Sequence, residues 1–235
     1  MTKEEFIKCC KEIGINITEE IYGVFDQYCN LLIEWNSKFN LTSILDKQKV
    51  FLLHFYDSIY LSKFINFEKK CSLCDFGTGA GFPGMVIAIL FKNVDVVLIE
   101  SNQKKCKFLE YIKNEFKLNN VNIVCSRVED YGIKNREIFD YVTCRAVTSI
   151  PMIIELSTSI LKVNGILAPL KTNCSNELEN KELLKEYNLE LLSINNYELP
   201  IEKANRMVPL FRKTAKTSTK YPKKYSLLLK KYKKK

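Results

Sequence analysis

Asp75-Phe-Gly-Thr-Gly-Ala-Gly-Phe-Pro-Gly84 decides how this chain is read. The run Cys71–Phe76 that leads into it is compact and apolar and reads as a β-strand. Pro83 is suited to the first position of a following helix, where its missing N–H costs nothing. Glycines at 77, 79 and 81 admit backbone angles closed to other residues and clear side chains from a place where a ligand approaches the main chain. The helix beyond points free N–H groups at the same place. Sixteen residues past Gly84 the next apolar strand, 95–100, ends in Glu100, an acid placed to accept hydrogen bonds from ribose hydroxyls. Past the third strand, Arg127-Val128-Glu129 is placed to flank an adenine.

Gly79–Gly84 also satisfies GxGxxG, the pattern of dinucleotide loops. Two features oppose that ligand. Asp75 would repel a pyrophosphate so close to its cradle, and Pro83 removes an N–H from the helix end that should bind phosphate. S-adenosylmethionine has no phosphate and carries amino and sulfonium cations, which carboxylates attract. These residues favour it over a dinucleotide and over a tight glycine turn that binds nothing.

Working outward, 102–116 reads as a helix with Phe108, Leu109, Ile112 and Phe116 on its buried stripe. Residues 121–126, 138–144 and 165–171 read as strands, with a helix over 151–161, and 189–211 adds two antiparallel strands at the sheet edge. The fold class is α/β: a Rossmann-like, mostly parallel seven-stranded sheet with helices on both faces. Upstream, residues 1–70 form an N-terminal helical extension. Apolar residues from Ile21 to Phe39 recur at three- and four-residue steps, Thr18 is a sensible N-cap, and Asn40-Leu-Thr-Ser43 breaks the pattern. A further helix starts after Asp46 and runs through 51–60. The chain thus divides into an extension (1–70), a methyl-donor-binding core (71–211) and a basic tail (212–235).

The 235 residues carry a net charge of +9, distributed unevenly. The tail holds eleven Lys or Arg and no acid, leaving 25 basic against 27 acidic residues in the body. Such a tail, whose order without a partner the sequence leaves open, is expected to grip a polyphosphate backbone, so that deleting 213–235 weakens RNA binding and leaves donor binding intact. The opening MTKEEFIKCC carries acids and no apolar signal stretch, and no run reaches bilayer length; a cytoplasmic protein without membrane contact is expected. Nine cysteines then read as reduced thiols. Cys71-Ser-Leu-Cys74 is a lone CxxC, His54 is the sole histidine, and no metal site is expected.

Several motifs in order resemble a known family, the bacterial ribosomal RNA small subunit methyltransferase G family, also called glucose-inhibited division protein B. They are Trp35-Asn36 with Asn40-Leu-Thr42, His54-x-x-Asp57-Ser58, the loop 75–84, Glu100-Ser101 with Lys104-Lys105 and Phe108-Leu109, Arg127-Val-Glu129, and Cys144-Arg-Ala146. The resemblance runs from about Ile21 to about Phe211. It implies methylation of N7 of a guanine in small-subunit (16S) ribosomal RNA with S-adenosylmethionine as donor. It carries Gly77, Phe82, Val128, Glu129 and Arg145 onto donor-binding positions, beside Asp75, Thr78, Gly79, Gly81 and Glu100 from the loop reading. Arg145 is also the expected catalytic residue, placing donor or target base. The expected RNA contacts are His54, Lys171, Lys220, Lys223 and Lys224, and the expected partner is the RNA or a pre-assembled small subunit, met by a monomer. The chain departs from the family at Leu53, where a basic residue is usual, at Cys144 for serine and at Thr172 for glycine.

Guanine N7 loses no proton on alkylation, so no general base is required, in keeping with the absence of an evident acid–base pair. Two other methylations stay open at this level. Cys144, with Cys174 as partner, would serve a covalent RNA cytosine-C5 methyltransferase, and a small-molecule acceptor would leave the tail unused.

Overall fold

The computed structural model describes residues 1–178 and 180–232; Lys233 to Lys235, counted above in the basic tail, lie outside them. The extension contains α1 (Lys3–Glu12), α2 (Glu19–Phe39), α3 (Lys47–Val50) and α4 (Asp57–Ile59). A π-helical turn over Phe51–Tyr56 joins α3 to α4, and a 3-10 turn over Tyr60–Lys63 follows. Strands and helices then alternate as β1 (Cys71–Phe76), α5 (Gly84–Leu90), β2 (Val94–Glu100), α6 (Gln103–Glu115), β3 (Val121–Cys125), α7 (Val128–Lys134), β4 (Phe139–Arg145), α8 (Ile150–Thr158) and β5 (Leu161–Leu170). The remaining elements are α9 (Lys181–Glu186), β6 (Leu189–Glu198), β7 (Asn205–Lys213) and α10 (Tyr225–Tyr232).

Local chemistry explains the boundaries. The Thr18 hydroxyl accepts from the Ile21 N–H at 3.2 Å, which makes it the expected cap, and the Asp46 carboxylate caps α3 by accepting from the Lys49 N–H at 2.9 Å. Asn40 ends α2 in the left-handed region, φ 49°, and the Asn36 carboxamide oxygen catches the Thr42 N–H at 2.7 Å. The strands form one seven-stranded sheet in the order β3-β2-β1-β4-β5-β7-β6. β1 to β5 run parallel, and β7 is antiparallel to both β5 and β6, which puts the two expected edge strands in place.

Alternate strand residues feed two cores. Leu73, Val96 and Leu98 join α5, α6 and the N-terminal helices on one face. Cys74, Phe76, Ile99 and Val142 join α8 and the C-terminal residues Tyr221 and Leu228 on the other. Cys71 and Cys74 thereby point to opposite faces. Strand order reverses between β1 and β4, opening a crevice at their carboxyl ends.

Three expectations need correction. α8 ends at Thr158 and β5 begins at Leu161, so the helix over 151–161 and the strand over 165–171 both shift. Leu161 already pairs with Phe139; a register irregularity at Asn164 (φ 67°) and Gly165 interrupts the ladder and reads as a loop in sequence. α7 and α9 were too short for their periodicity to show. The edge strands run on to Lys213, past the expected end at 211, and the basic tail, whose order the sequence left open, is folded through residue 232. Lys213 is fully buried, its Nζ donating to Glu137 Oε1 (2.9 Å), Thr158 O (2.7 Å) and Leu161 O (2.8 Å), and Thr217, Tyr221 and Leu228 are buried beside it. Inward hydrogen bonds, which composition does not reveal, hold this polar stretch down. Among the described residues no helix is long and apolar enough to cross a membrane.

Candidate active site

The glycine loop lies at the carboxyl end of β1, where the crevice opens. Gly77, Gly79 and Gly81 take φ of 63°, 64° and 103°, so each needs the freedom of glycine. Their surroundings differ. A Cβ on Gly81 would fall 2.3 Å from the Tyr28 hydroxyl, which donates to Ala80 O at 2.5 Å; this glycine serves packing. A Cβ on Gly79 would meet nothing within 4 Å.

Asp75 is fully buried at the base of the loop. Its Oδ2 accepts from the Thr78 hydroxyl at 2.6 Å and from the Gly84 N–H at 2.8 Å, while Oδ1 is buried with no partner. Burial pushes its pKa up to about 7, against the hydrogen bonds from Thr78 and Gly84 and the charge of Arg145, which act downward. Glu100 closes the other side: Oε2 accepts from the Gly79 N–H at 3.0 Å and Oε1 from the Asn102 N–H at 2.8 Å. Farther along, Gly77, Val128 and Glu129 line a narrow crevice of about 80 Å³ with Phe76, Ile99 and Tyr225. The residues present therefore fit a cationic nucleoside: an unsatisfied buried carboxylate oxygen, a bare backbone cradle, a second carboxylate and an apolar slot.

Phe82 sits at the loop's far side, stacked between Tyr28 (5.6 Å between centroids) and His54 (4.5 Å). The Arg145 guanidinium lies 5.3 Å from the centroid of the same ring. It is held on all sides: Nη1 donates to Leu53 O (2.8 Å) and Asp57 Oδ2 (3.1 Å), and Nη2 donates to His54 Nδ1 (2.9 Å). An arginine only donates, so His54 Nδ1 must accept and the ring proton resides on Nε2, directed at Thr42 Oγ1 2.9 Å away. Burial and the neighbouring guanidinium push the His54 pKa down to about 3, so the imidazole is neutral. The π-helical turn that carries His54 widens the helix at this point, a distortion frequent at functional sites. Ala146, directly after Arg145, holds φ 55°, an uncommon angle for alanine.

Asp57 is the hub of the arrangement. Besides Arg145 it accepts from Arg206 Nε at 3.2 Å and from the Tyr197 hydroxyl at 2.8 Å, with Tyr197 stacked on Tyr60 at 3.9 Å. Next to the glycine loop, His54, Asp57, Arg145, Lys171 and Arg206 line a second cavity of about 350 Å³, walled on its apolar side by Ile44, Leu53 and Leu170. The Lys171 ammonium donates to Thr148 O at 2.8 Å.

The structure thus brings Asp75, Gly77, Thr78, Gly79, Gly81, Phe82, Glu100, Val128, Glu129 and Arg145 around the ends of β1 to β4, with His54 and Lys171 on the adjoining cavity. Lys220, Lys223 and Lys224 are not part of either lining; the ammonium groups of Lys220 and Lys223 lie over the Tyr221 ring at 5.0 and 5.8 Å. Arg206, Tyr197 and Tyr225 escaped the sequence reading, since each lies in a stretch whose pattern spoke only of an edge strand or a charged tail. Cys144 is buried in the core beside α8, and burial pushes its thiol far above the ordinary range; Cys174 is buried against Met207. Neither offers the accessible thiolate that covalent attack on a pyrimidine needs. Among the described residues no three His, Cys, Asp or Glu side chains cluster as metal ligands.

The chain matches the family model for rRNA small subunit methyltransferase G over residues 22–206. It is 39% identical over 228 residues to the ribosomal RNA small subunit methyltransferase G of Bacillus velezensis, covering 95% of each chain. The proteins of the same name from Lysinibacillus sphaericus and Bacillus subtilis are 38% and 37% identical over 228 residues, with 96% and 95% of their lengths covered. Among solved structures, a SAM-dependent methyltransferase from Aquifex aeolicus superposes with a TM-score of 0.55 at 16% identity, covering 72% of this chain and 94% of that one. TYW2 of M. jannaschii, determined in complex with AdoMet, superposes at 0.52 and 16% identity, over 67% and 76%. At these identities the structural likeness speaks for the fold alone.

Proposed function

The chain belongs to the rRNA small subunit methyltransferase G family, and from that premise we propose that it transfers a methyl group from S-adenosylmethionine to N7 of a guanine in 16S ribosomal RNA. The observation that carries the reading is the junction of two spaces: a glycine cradle over the unpartnered Asp75 Oδ1, and a cavity reached across Arg145.

When bound, the donor supplies a methyl group already activated on a sulfonium. The chain's task is alignment and exclusion of water. Asp75 and the main chain of the loop orient the amino-acid end, Glu100 meets the ribose, and Val128 and Glu129 flank the base. Arg145 is fixed by Leu53 O, His54 and Asp57 before any substrate arrives, so little reorganisation accompanies reaction. The neutral His54 and the ionised Arg145 neither give nor take a proton, which suits an acceptor that loses none. The 350 Å³ cavity is of a size to receive a base drawn out of its stack, with Arg145, Arg206 and Lys171 supplying donors for its acceptor edge. Lys220, Lys223 and Lys224 are placed as backbone contacts, and a monomer acting on the RNA or on a partly assembled subunit in the cytoplasm is the expected form.

Incubation of the protein with radiolabelled donor and small-subunit RNA lacking the modification, followed by mapping of the labelled nucleotide, tests this. A single N7-methylguanine is expected. Label on a pyrimidine, or incorporation into small molecules alone, would overturn it.

A further inference from the structure

The family match stops at residue 206, before the strap formed by residues 214–232. That strap is fastened at several points. Thr214 N–H donates to Asn188 O (2.8 Å), the Thr217 hydroxyl to Thr158 O (2.7 Å), and Arg136 reaches Tyr221 O (2.7 Å) and Thr217 O (2.9 Å). At its end, the fully buried Glu155 in the middle of α8 accepts from the Tyr232 hydroxyl at 2.9 Å and Lys231 Nζ at 3.3 Å. Between these fastenings Leu228 is buried and Tyr225 is half-buried.

Tyr225 is the only strap residue lining the narrow crevice with Gly77, Val128 and Glu129. The Arg127 guanidinium, on the residue just before Val128, covers the Tyr225 ring at 4.6 Å from its centroid. This crevice reaches the glycine loop at Gly77 and has apolar walls in Phe76, Ile99, Val147 and Leu156, with Ser101 and Ser126 as further polar lining. A flat heteroaromatic ring suits it: an aromatic neighbour held by a cation offers stacking and keeps water out.

We propose that Tyr225, braced by Arg127, is a donor-positioning residue that closes the crevice over the adenine of S-adenosylmethionine, making the C-terminal strap a wall of the donor site. This rests on the donor assignment above and reverses the expectation that the tail serves RNA alone. No atom of the acceptor chemistry is touched.

Calorimetric titration of S-adenosylmethionine into the full chain, Tyr225→Ala and Tyr225→Phe tests this, with thermal unfolding as the check on folding. The expected result is binding by the full chain, at least about tenfold weaker binding by Tyr225→Ala, and near-normal binding by Tyr225→Phe. RNA affinity measured without donor should be unchanged in both, and KM for the donor should rise in Tyr225→Ala while kcat at saturation stays within about twofold. If Tyr225→Ala does not fold, Tyr225→Leu, which keeps an apolar group and removes the ring, takes its place. Binding within twofold of the full chain by the ring-less variant overturns the proposal while leaving the donor assignment standing. Failure of the full chain itself to bind would overturn the donor assignment, and the proposal with it.

Discussion

Asp75 shows how one buried atom sets a pH dependence. With its pKa raised to about 7 by burial, the carboxyl is partly protonated at neutrality, and a cation bound against Oδ1 needs it ionised. Donor affinity should therefore fall by up to about tenfold per pH unit below 7, a slope measurable by calorimetry and lost in Asp75→Asn. The sign for stability is the reverse. Between about 4 and 7 the folded chain holds more protons at this site than the unfolded chain, so its contribution is lost as pH rises. His54 is the opposite case: its folded pKa is depressed to about 3, so its contribution is whole above 6.5 and is lost as pH falls below that. Asp57 faces two guanidiniums and a phenol with only 3% of its side chain exposed. Asp57→Ala should cost about 3–5 kcal/mol in denaturant unfolding, because two partly buried cations lose their counter-charge. A loss under 1 kcal/mol would show that Arg145 and Arg206 are held by their other partners.

At the scale of elements, the strand–loop–helix over residues 71–90 was legible because everything that makes it is local: apolar run, glycines, proline. The same locality separates two glycines that sequence alone treats as equal. Gly81→Ala should lower stability by about 1–3 kcal/mol through its clash with Tyr28. Gly79→Ala, facing open space, should cost about 1 kcal/mol from its φ of 64° and act chiefly on donor affinity. Unfolding and titration of the pair check this; equal losses of affinity would place the cradle elsewhere. Elements built by distant partners were hidden. The π-helical turn at 51–56 is apolar apart from His54 and shows no period that distinguishes it from an ordinary helix. The strap read only as a charged tail because lysines surround its few anchors, Tyr221, Tyr225 and Leu228, at spacings too irregular for a stripe.

Taken whole, the molecule does not divide where its composition does. The N-terminal helices share a core with α5, α6 and one face of the sheet, through packing such as that of Tyr28 and Phe55 on Phe82. A fragment beginning at residue 71 is therefore expected not to fold, giving no cooperative thermal transition, whereas the full chain gives one. Charge is likewise less available than the count of lysines suggests. Lys213 is fully buried and contributes nothing to a phosphate surface. Replacing Lys220, Lys223 and Lys224 by Gln should reduce the salt dependence of RNA binding by about one unit of log–log slope for each phosphate no longer neutralised. An unchanged slope would remove these three from the RNA interface. Fold class and the strand–glycine-loop–helix could be read from the sequence, as could the place of Arg145 at a strand end. The other partners of Asp57, the carboxylate that holds Arg145, could not, since nothing local distinguishes Tyr197 and Arg206 from other edge-strand residues.

The hub at Asp57 has a bearing on how the chain is made. Its partners Tyr197 and Arg206 lie 140 and 149 positions downstream. At a translation speed of ~5–20 residues per second, the carboxylate leaves the ribosome about 7–30 s before they do and must wait hydrated. Most aromatic residues of the amino-terminal helices find their partners by residue 116, but a stall before residue 197 would leave the hub with Arg145 alone and the rings of Tyr60 and Phe64, which pack on Tyr197, bare to chaperones and proteases.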